Sequence, residues 1–69
     1  MNLPAYLEKH GLSQGEFAKR IGVSQGLVWQ WLSGKTRVSP SKAKDIEAKT
    51  EGEITKAELR PDIWEEEAA

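Results

Sequence analysis

Residues 13–34, SQGEFAKRIGVSQGLVWQWLSG, carry two short helical patterns separated only by Gly-Val-Ser. An S-x-x-E capping box begins the first pattern, and Ser24 is a good N-cap for the second. Gly22 ends the first helix after about two turns, because glycine adopts a positive φ without a Cβ penalty. Helices joined this tightly must cross steeply, so the small residue Ala18 is needed where they meet.

The spacing of Ala18, Gly22 and Val28, together with the caps, is typical of a helix-turn-helix unit. In that unit the second helix lies in the DNA major groove and the first crosses the backbone. The alternative is an ordinary helical hairpin in a small bundle, which does not need so tight a turn. The sequence therefore predicts a recognition helix at about residues 24–33.

The rest of the chain shows the same alternation of caps and breakers. Asn2 begins an apolar-periodic segment that Gly11 ends, and Ser39-Pro40 begins another that Gly52 ends. There is no internal repeat and no sustained strand-like alternation. We predict an all-α helix-turn-helix domain of four to five short helices. Its expected parts are a core at 1–52, a C-terminal extension at 53–64 and an acidic tail at 65–69.

Composition excludes several classes of protein. The chain has 69 residues, one histidine and no cysteine, so disulfides and thiolate metal sites are absent. No apolar run approaches the roughly 20 residues of a membrane span. No nucleophile or metal-ligand constellation surrounds His10, which we expect at the edge of the core. We predict a non-enzymatic domain with no cofactor, no metal and no membrane association.

Charge is distributed unevenly between the two halves. Residues 1–44 carry a formal charge of +5 and residues 45–69 a charge of −6. This asymmetry suggests a basic working surface joined to an acidic tail. The alternative is that the charges only solvate a small domain.

The chain resembles the Cro/repressor class of bacteriophage regulators, and more closely the YdaS-like group of prophage-encoded Cro-like proteins. The resemblance covers residues 3–64, and its carriers are residues 6–34, YLEKHGLSQGEFAKRIGVSQGLVWQWLSG, and residues 38–64, VSPSKAKDIEAKTEGEITKAELRPDIW. It implies a small lambda-repressor-like fold and a sequence-specific DNA-binding repressor or antitoxin-like regulator. Such a protein usually works as a dimer, in the cytoplasm of a bacterial host.

The outward face of the predicted recognition helix supplies the candidate base contacts. Gln25 is the best of them, because glutamine bonds adenine N6 and N7 in a bidentate way. Trp29 has two interpretations, contact with a thymine methyl or sugar, or packing over the next helix or at an interface. The full set is Ser24, Gln25, Gly26, Trp29, Gln30 and Ser33.

Candidate phosphate contacts flank that face. They include basic residues in the loop after the recognition helix and polar residues at helix N-termini, which are ready anion sites. The set is Gln14, Lys19, Arg20, Lys35, Arg37, Ser39, Ser41 and Lys42.

The C-terminal extension offers a candidate dimer contact at Ile54, Leu59, Ile63 and Trp64. The alternative is that these side chains complete the monomer core. Arg60, Asp62 and Trp64 are expected to fold the extension back onto the domain.

The favoured function is repression by occlusion of an operator. We expect this operator to be a two-fold symmetric site bound by a homodimer. The alternative is an antitoxin-like or protein-interaction module whose acidic C-terminal half binds a toxin or another protein partner. Partner binding that depends on the acidic half would discriminate the two.

Overall fold

Short helices joined by tight turns build the fold. The computed structural model describes residues 1–64, and in that range there are five helices and no strand. This confirms the predicted all-α class. The helices are α1 (Leu3–His10), α2 (Gln14–Ile21), α3 (Gln25–Ser33), α4 (Pro40–Lys49) and α5 (Lys56–Leu59).

Each helix begins at a polar side chain that accepts a hydrogen bond from a backbone N–H three residues later. Such caps stabilise a helix by about 1 kcal/mol each. The capping box at Ser13 is complete, since the Ser13 hydroxyl accepts from Glu16 N–H and the Glu16 carboxylate accepts from Ser13 N–H, both at 3.1 Å. The latter bond lowers the pKa of Glu16. The capping residues are Asn2, Ser13, Ser24, Ser39 and Thr55.

The turn between α2 and α3 depends on Gly22. Its φ of 84° lies in the left-handed region, and its N–H donates to Ala18 O at 2.8 Å. The Val23 N–H donates to the same carbonyl at 3.0 Å, so the chain leaves α2 abruptly. α3 then begins at Gln25, and α2 and α3 remain in contact with each other.

α4 ends earlier than the sequence predicts. The last helical residue is Lys49, and both Glu51 and Gly52 have a positive φ. The Gly52 N–H donates to Glu47 O at 2.8 Å, which turns the chain back over the helix end. Gly52 therefore lies in the reversal that follows the helix.

The core lies where α2 meets α3 and α4. Phe17, Val28 and Ile46 are among its largest fully buried side chains, and Ala18 and Ala43 provide the small residues that let helices approach. The edge of the Tyr6 ring contacts Phe17, with centroids 5.9 Å apart, and ties α1 to this core. The other core residues are Leu3, Ile21, Val38 and Ile54.

Ile54 belongs to this core although it lies beyond the predicted boundary at residue 52. The buried Thr50 hydroxyl donates to Ile46 O at 2.7 Å and accepts from Ile54 N–H at 3.1 Å. Both bonds satisfy polar groups that would be costly to bury alone. The chain is thereby held so that Ile54 enters the core, and Ala57 of the extension is buried as well. The predicted acidic tail, 65–69, lies outside the described residues.

Candidate nucleic-acid interface

One side of α3 packs on the core, and the other faces solvent. Val28 is fully buried, and Trp31 and Leu32 are partly buried against the core. Leu27, which the pattern places on the same apolar face, is only partly buried. The inward face of α3 is therefore narrow, and its outward side is polar except for Trp29 and Gly26.

The candidate base contacts mostly lie on the outward side. Ser24, Gln25, Gly26, Trp29 and Ser33 are exposed, and Gln30 is partly buried. Two of the hydroxyls already serve the helix. The Ser24 hydroxyl accepts from Leu27 N–H at 3.1 Å, and the Ser33 hydroxyl donates to Gln30 O at 3.2 Å. The amides and the indole therefore have the larger capacity for new contacts.

Gln25 lies against the first turn of α2. A Cβ built on Gly15 would stand 3.2 Å from the Gln25 Oε1 and 3.7 Å from its Cδ, so the amide uses the space that a side chain there would need. The sequence motifs do not indicate that Gly15 lies beside a candidate base contact. The available signal was a glycine in the first turn of a helix, where propensity disfavours it. Because Gly15 has no side chain, the Gln25 amide can lie against it, next to Gln14 at the start of α2.

Trp29 is the most exposed large apolar side chain of α3, at 48%. The ammonium of Lys35 lies 5.5 Å from the centroid of its ring. Such cation–π contacts at exposed sites are worth about 0.5–1 kcal/mol. A candidate phosphate contact and a candidate base contact thus lie side by side at the end of α3.

The candidate phosphate contacts fall on three elements. Lys19 and Arg20 are exposed in the last turn of α2, and Lys35 and Arg37 are exposed in the loop after α3. At the start of α4, the Ser39 hydroxyl accepts from Lys42 N–H at 3.3 Å. The remaining members are Gln14, partly buried at the first residue of α2, Ser41, exposed, and Lys42, whose ammonium lies 3.7 Å from Asp45.

Arg37 is held by the C-terminal extension. Its Nη1 lies 3.2 Å from Asp62 Oδ2, and the same carboxylate accepts two bonds from Arg60, at 3.0 and 2.8 Å. Arg60 also donates to Val38 O at 3.0 Å. The bonds from Arg60, with the charges of Arg60 and Arg37, lower the pKa of Asp62 to about 2. Arg60 and Asp62 thus fold the extension back onto the loop, as their position predicts.

The candidate dimer contact needs a correction at Ile54. That side chain is fully buried in the protomer, so it cannot touch a second copy. Leu59 and Trp64 are partly buried against the core, with Lys56 lying 5.6 Å from the Trp64 ring. Ile63 is 45% exposed and is the member best placed for contact with another molecule.

A second charged cluster joins α1 to the extension. The Glu53 carboxylate accepts from Lys9, and His10 Nε2 lies 3.1 Å from Glu53 Oε2. The bond from Lys9, followed by that from His10, lowers the pKa of Glu53. The centroids of the His10 and Tyr6 rings are 4.4 Å apart, so His10 packs at the edge of the core as expected.

Over residues 1–64, no group of three or more His, Cys, Asp or Glu side chains could hold a metal ion. In the same range, no helix is both long enough and apolar enough to cross a membrane.

Known proteins resemble this chain over most of its length. A prophage transcriptional regulatory protein of Escherichia coli K12 is 41% identical over 51 residues, which are 74% of this chain and 77% of the relative. The regulatory protein cro of Pseudomonas phage D3 is 38% identical over 60 residues, 86% of this chain and 82% of the relative. The E. coli K12 protein YdaS is 40% identical over 50 residues, 72% of this chain and 51% of the relative.

No solved structure matches the chain significantly. A family model described as "Bacterial toxin YdaS" matches residues 6–68. Together with the phage and prophage regulators, it confirms the resemblance drawn from the sequence motifs. The chain belongs to the YdaS family.

Proposed function

We propose that this protein is a sequence-specific double-stranded DNA-binding regulator of transcription that acts as a Cro-like repressor. The observation that carries the proposal is the α2–Gly22–α3 unit, whose second helix turns an exposed face of amides, hydroxyls and the Trp29 indole away from the core. An α-helix presented in this way fits the major groove. The names of the phage and prophage relatives support a regulatory role.

Base reading is assigned to the first half of α3. Gln25 is exposed at the first helical residue, and N-terminal residues of a recognition helix are those that contact base edges. Gly26 exposes its backbone beside Gln25, and Trp29 and Gln30 follow one turn later. Ser24 and Ser33 lie at the two ends of the helix and complete the proposed set.

Positioning on the duplex is assigned to phosphate contacts from three sides of α3. Lys19 and Arg20 would approach the backbone from α2, and Lys35 and Arg37 from the following loop. The N-terminus of α4 adds the backbone N–H and hydroxyl of Ser41, beside Ser39 at the positive end of the helix dipole, a setting that favours anions. Such contacts set affinity and its salt dependence, whereas base contacts set sequence preference.

The protein would act as a homodimer on a two-fold symmetric operator. A two-fold dimer reads half-sites separated by about one helical turn, roughly 34 Å. Ile63, exposed at the end of the extension, is the proposed centre of the dimer contact, with Leu59 and Trp64 beside it. Repression follows from occupancy of the operator, and neither a cofactor nor a metal takes part.

A protein-interaction function is the competing candidate. The observations in its favour are the acidic charge of residues 45–69 and the toxin in the description of the family model. In that case this chain would be an antitoxin-like or protein-interaction module whose acidic half binds a toxin or another protein partner, and α3 would only be part of the scaffold. The two functions differ in which half of the chain carries binding.

Selection from a random duplex pool, followed by fluorescence anisotropy, tests the proposal. We expect enrichment of a two-fold symmetric site that binds at least about 10³-fold more tightly than random DNA. Failure to enrich any sequence, with all binding lost near physiological salt, would refute it. Binding to DNA that is enriched without two-fold symmetry would refute the dimer alone.

A further inference from the structure

The contact between Arg37 and Asp62 joins the proposed DNA-binding face to the C-terminal extension. Arg37 lies in the loop after α3, and its side chain is 73% exposed. Its guanidinium points one nitrogen at Asp62 Oδ2, at 3.2 Å. A carboxylate and a phosphate are both anionic acceptors that a guanidinium binds well. Asp62 therefore gives Arg37 the kind of partner that a DNA phosphate would offer.

Asp62 is fixed by a second arginine. Arg60 donates two bonds to the Asp62 carboxylate and a third to Val38 O, and its side chain is only 17% exposed. The two-bond geometry is the stronger arrangement for an arginine–carboxylate pair. When Arg37 moves towards another anion, Asp62 stays with Arg60. Arg37 is thus the exchangeable member of the trio.

We propose that Asp62 competes with DNA phosphate for Arg37, so that the C-terminal extension weakens the sequence-independent share of DNA binding. This inference rests on the proposed function. Its physical basis is that Arg37 must give up an internal anionic partner before it can neutralise a phosphate.

The expected size of the effect follows from the exposure of the pair. Contacts between exposed charges are worth little, so replacing Asp62 changes affinity by about two- to fivefold. An Arg37 released from Asp62 neutralises a phosphate more completely. The slope of log K against log salt therefore steepens by up to about 0.9.

The test compares five proteins on a random-sequence duplex by anisotropy across a salt series: wild type, Asp62→Asn, Glu8→Gln, Arg37→Ala and the double variant of Arg37 and Asp62. Asp62→Asn should bind about two- to fivefold more tightly at low salt, with the steeper slope, and circular dichroism should show an unchanged fold. Glu8→Gln makes the same change in net charge at an exposed residue of α1 and should bind as wild type does. In an Arg37→Ala background, Asp62→Asn should have no effect.

Two results would overturn the inference while the proposed function stands. In the first, wild-type protein binds DNA, and Asp62→Asn binds it with the same affinity or more weakly. The other is tightening that persists in the Arg37→Ala background, which would make it a general effect of charge. Wild-type protein that binds no duplex even at low salt would overturn both proposals together.

Discussion

Gln25 combines the properties that a base-reading residue needs. It is exposed, it stands at the first residue of α3, and its amide rests beside Gly15 at the start of the preceding helix. The amide can leave this resting position without breaking the cap, because Ser24 supplies the cap itself. Among the six candidate base contacts, Gln25 is therefore the most informative to change.

We predict that Gln25→Ala relaxes sequence preference at one position in each half-site. A bidentate amide–adenine contact discriminates by about 1–3 kcal/mol, so the preferred base should lose about 5- to 150-fold of its advantage. Anisotropy with duplexes carrying all four bases at each position measures this loss. Gln14→Ala is the matched control, since loss of a phosphate contact weakens all sequences alike. If Gln25→Ala weakened the affinity for all these duplexes equally, Gln25 would contact the DNA backbone and not a base.

At the scale of elements, two glycines of the helix-turn-helix unit have opposite roles. Gly22 lies in the turn with a φ of 84°, and Gly26 lies inside α3, with no described atom within 4 Å of a Cβ at either position. Space therefore does not decide what a methyl group does there. Backbone conformation decides it, and it differs between the two sites.

We predict opposite changes in stability for the two alanine variants. Gly22→Ala should lower the free energy of unfolding by about 1–2 kcal/mol, because an L-residue is strained in the left-handed region. Gly26→Ala should raise it by up to about 1 kcal/mol through helix propensity. Urea denaturation followed by circular dichroism measures both. Equal effects of the two variants would contradict this account of the turn.

Local patterns explain most of what could be predicted. Caps such as Ser13 and breakers such as Gly22 act within three or four residues, so the sequence reveals them directly. Contacts between distant residues are not visible in that way. The contact of Arg37 with Asp62, and the burial of Ile54 through Thr50, depend on how α4 ends and how the chain reverses. The contact of Gln25 with Gly15 likewise depends on how α2 and α3 pack against each other.

At the scale of the whole molecule, charged contacts hold the extension to the rest of the domain. Asp62 bonds to Arg60 near the loop after α3, and Glu53 bonds to Lys9 and His10 near α1. Both acids have a lowered pKa. Because Ile54 is also in the core, removing residues after 51 would remove part of the packed interior. Point substitutions are therefore better probes of the acidic half than truncation.

We predict that the stabilising effect of Asp62 disappears in acid. Its pKa is about 2 in the folded protein, against an ordinary value of 3.8, so the unfolded chain takes up the proton first as the pH falls. The contribution is fully present above about pH 4 and is lost as the pH approaches 2. Thermal unfolding of wild type and Asp62→Asn between pH 5 and 2 measures it. The gap between their melting temperatures should close, and a constant gap would contradict the ion pair.

The central claim, that the outward face of α2 and α3 carries DNA binding, is tested most directly by mapping the interface. Backbone amide NMR shifts of the protein would be followed as a selected duplex is added. We predict the largest changes in α2 and α3, in the loop at residues 34–39 and at the start of α4. Changes concentrated in residues 45–58, or none at any ratio of duplex, would contradict it.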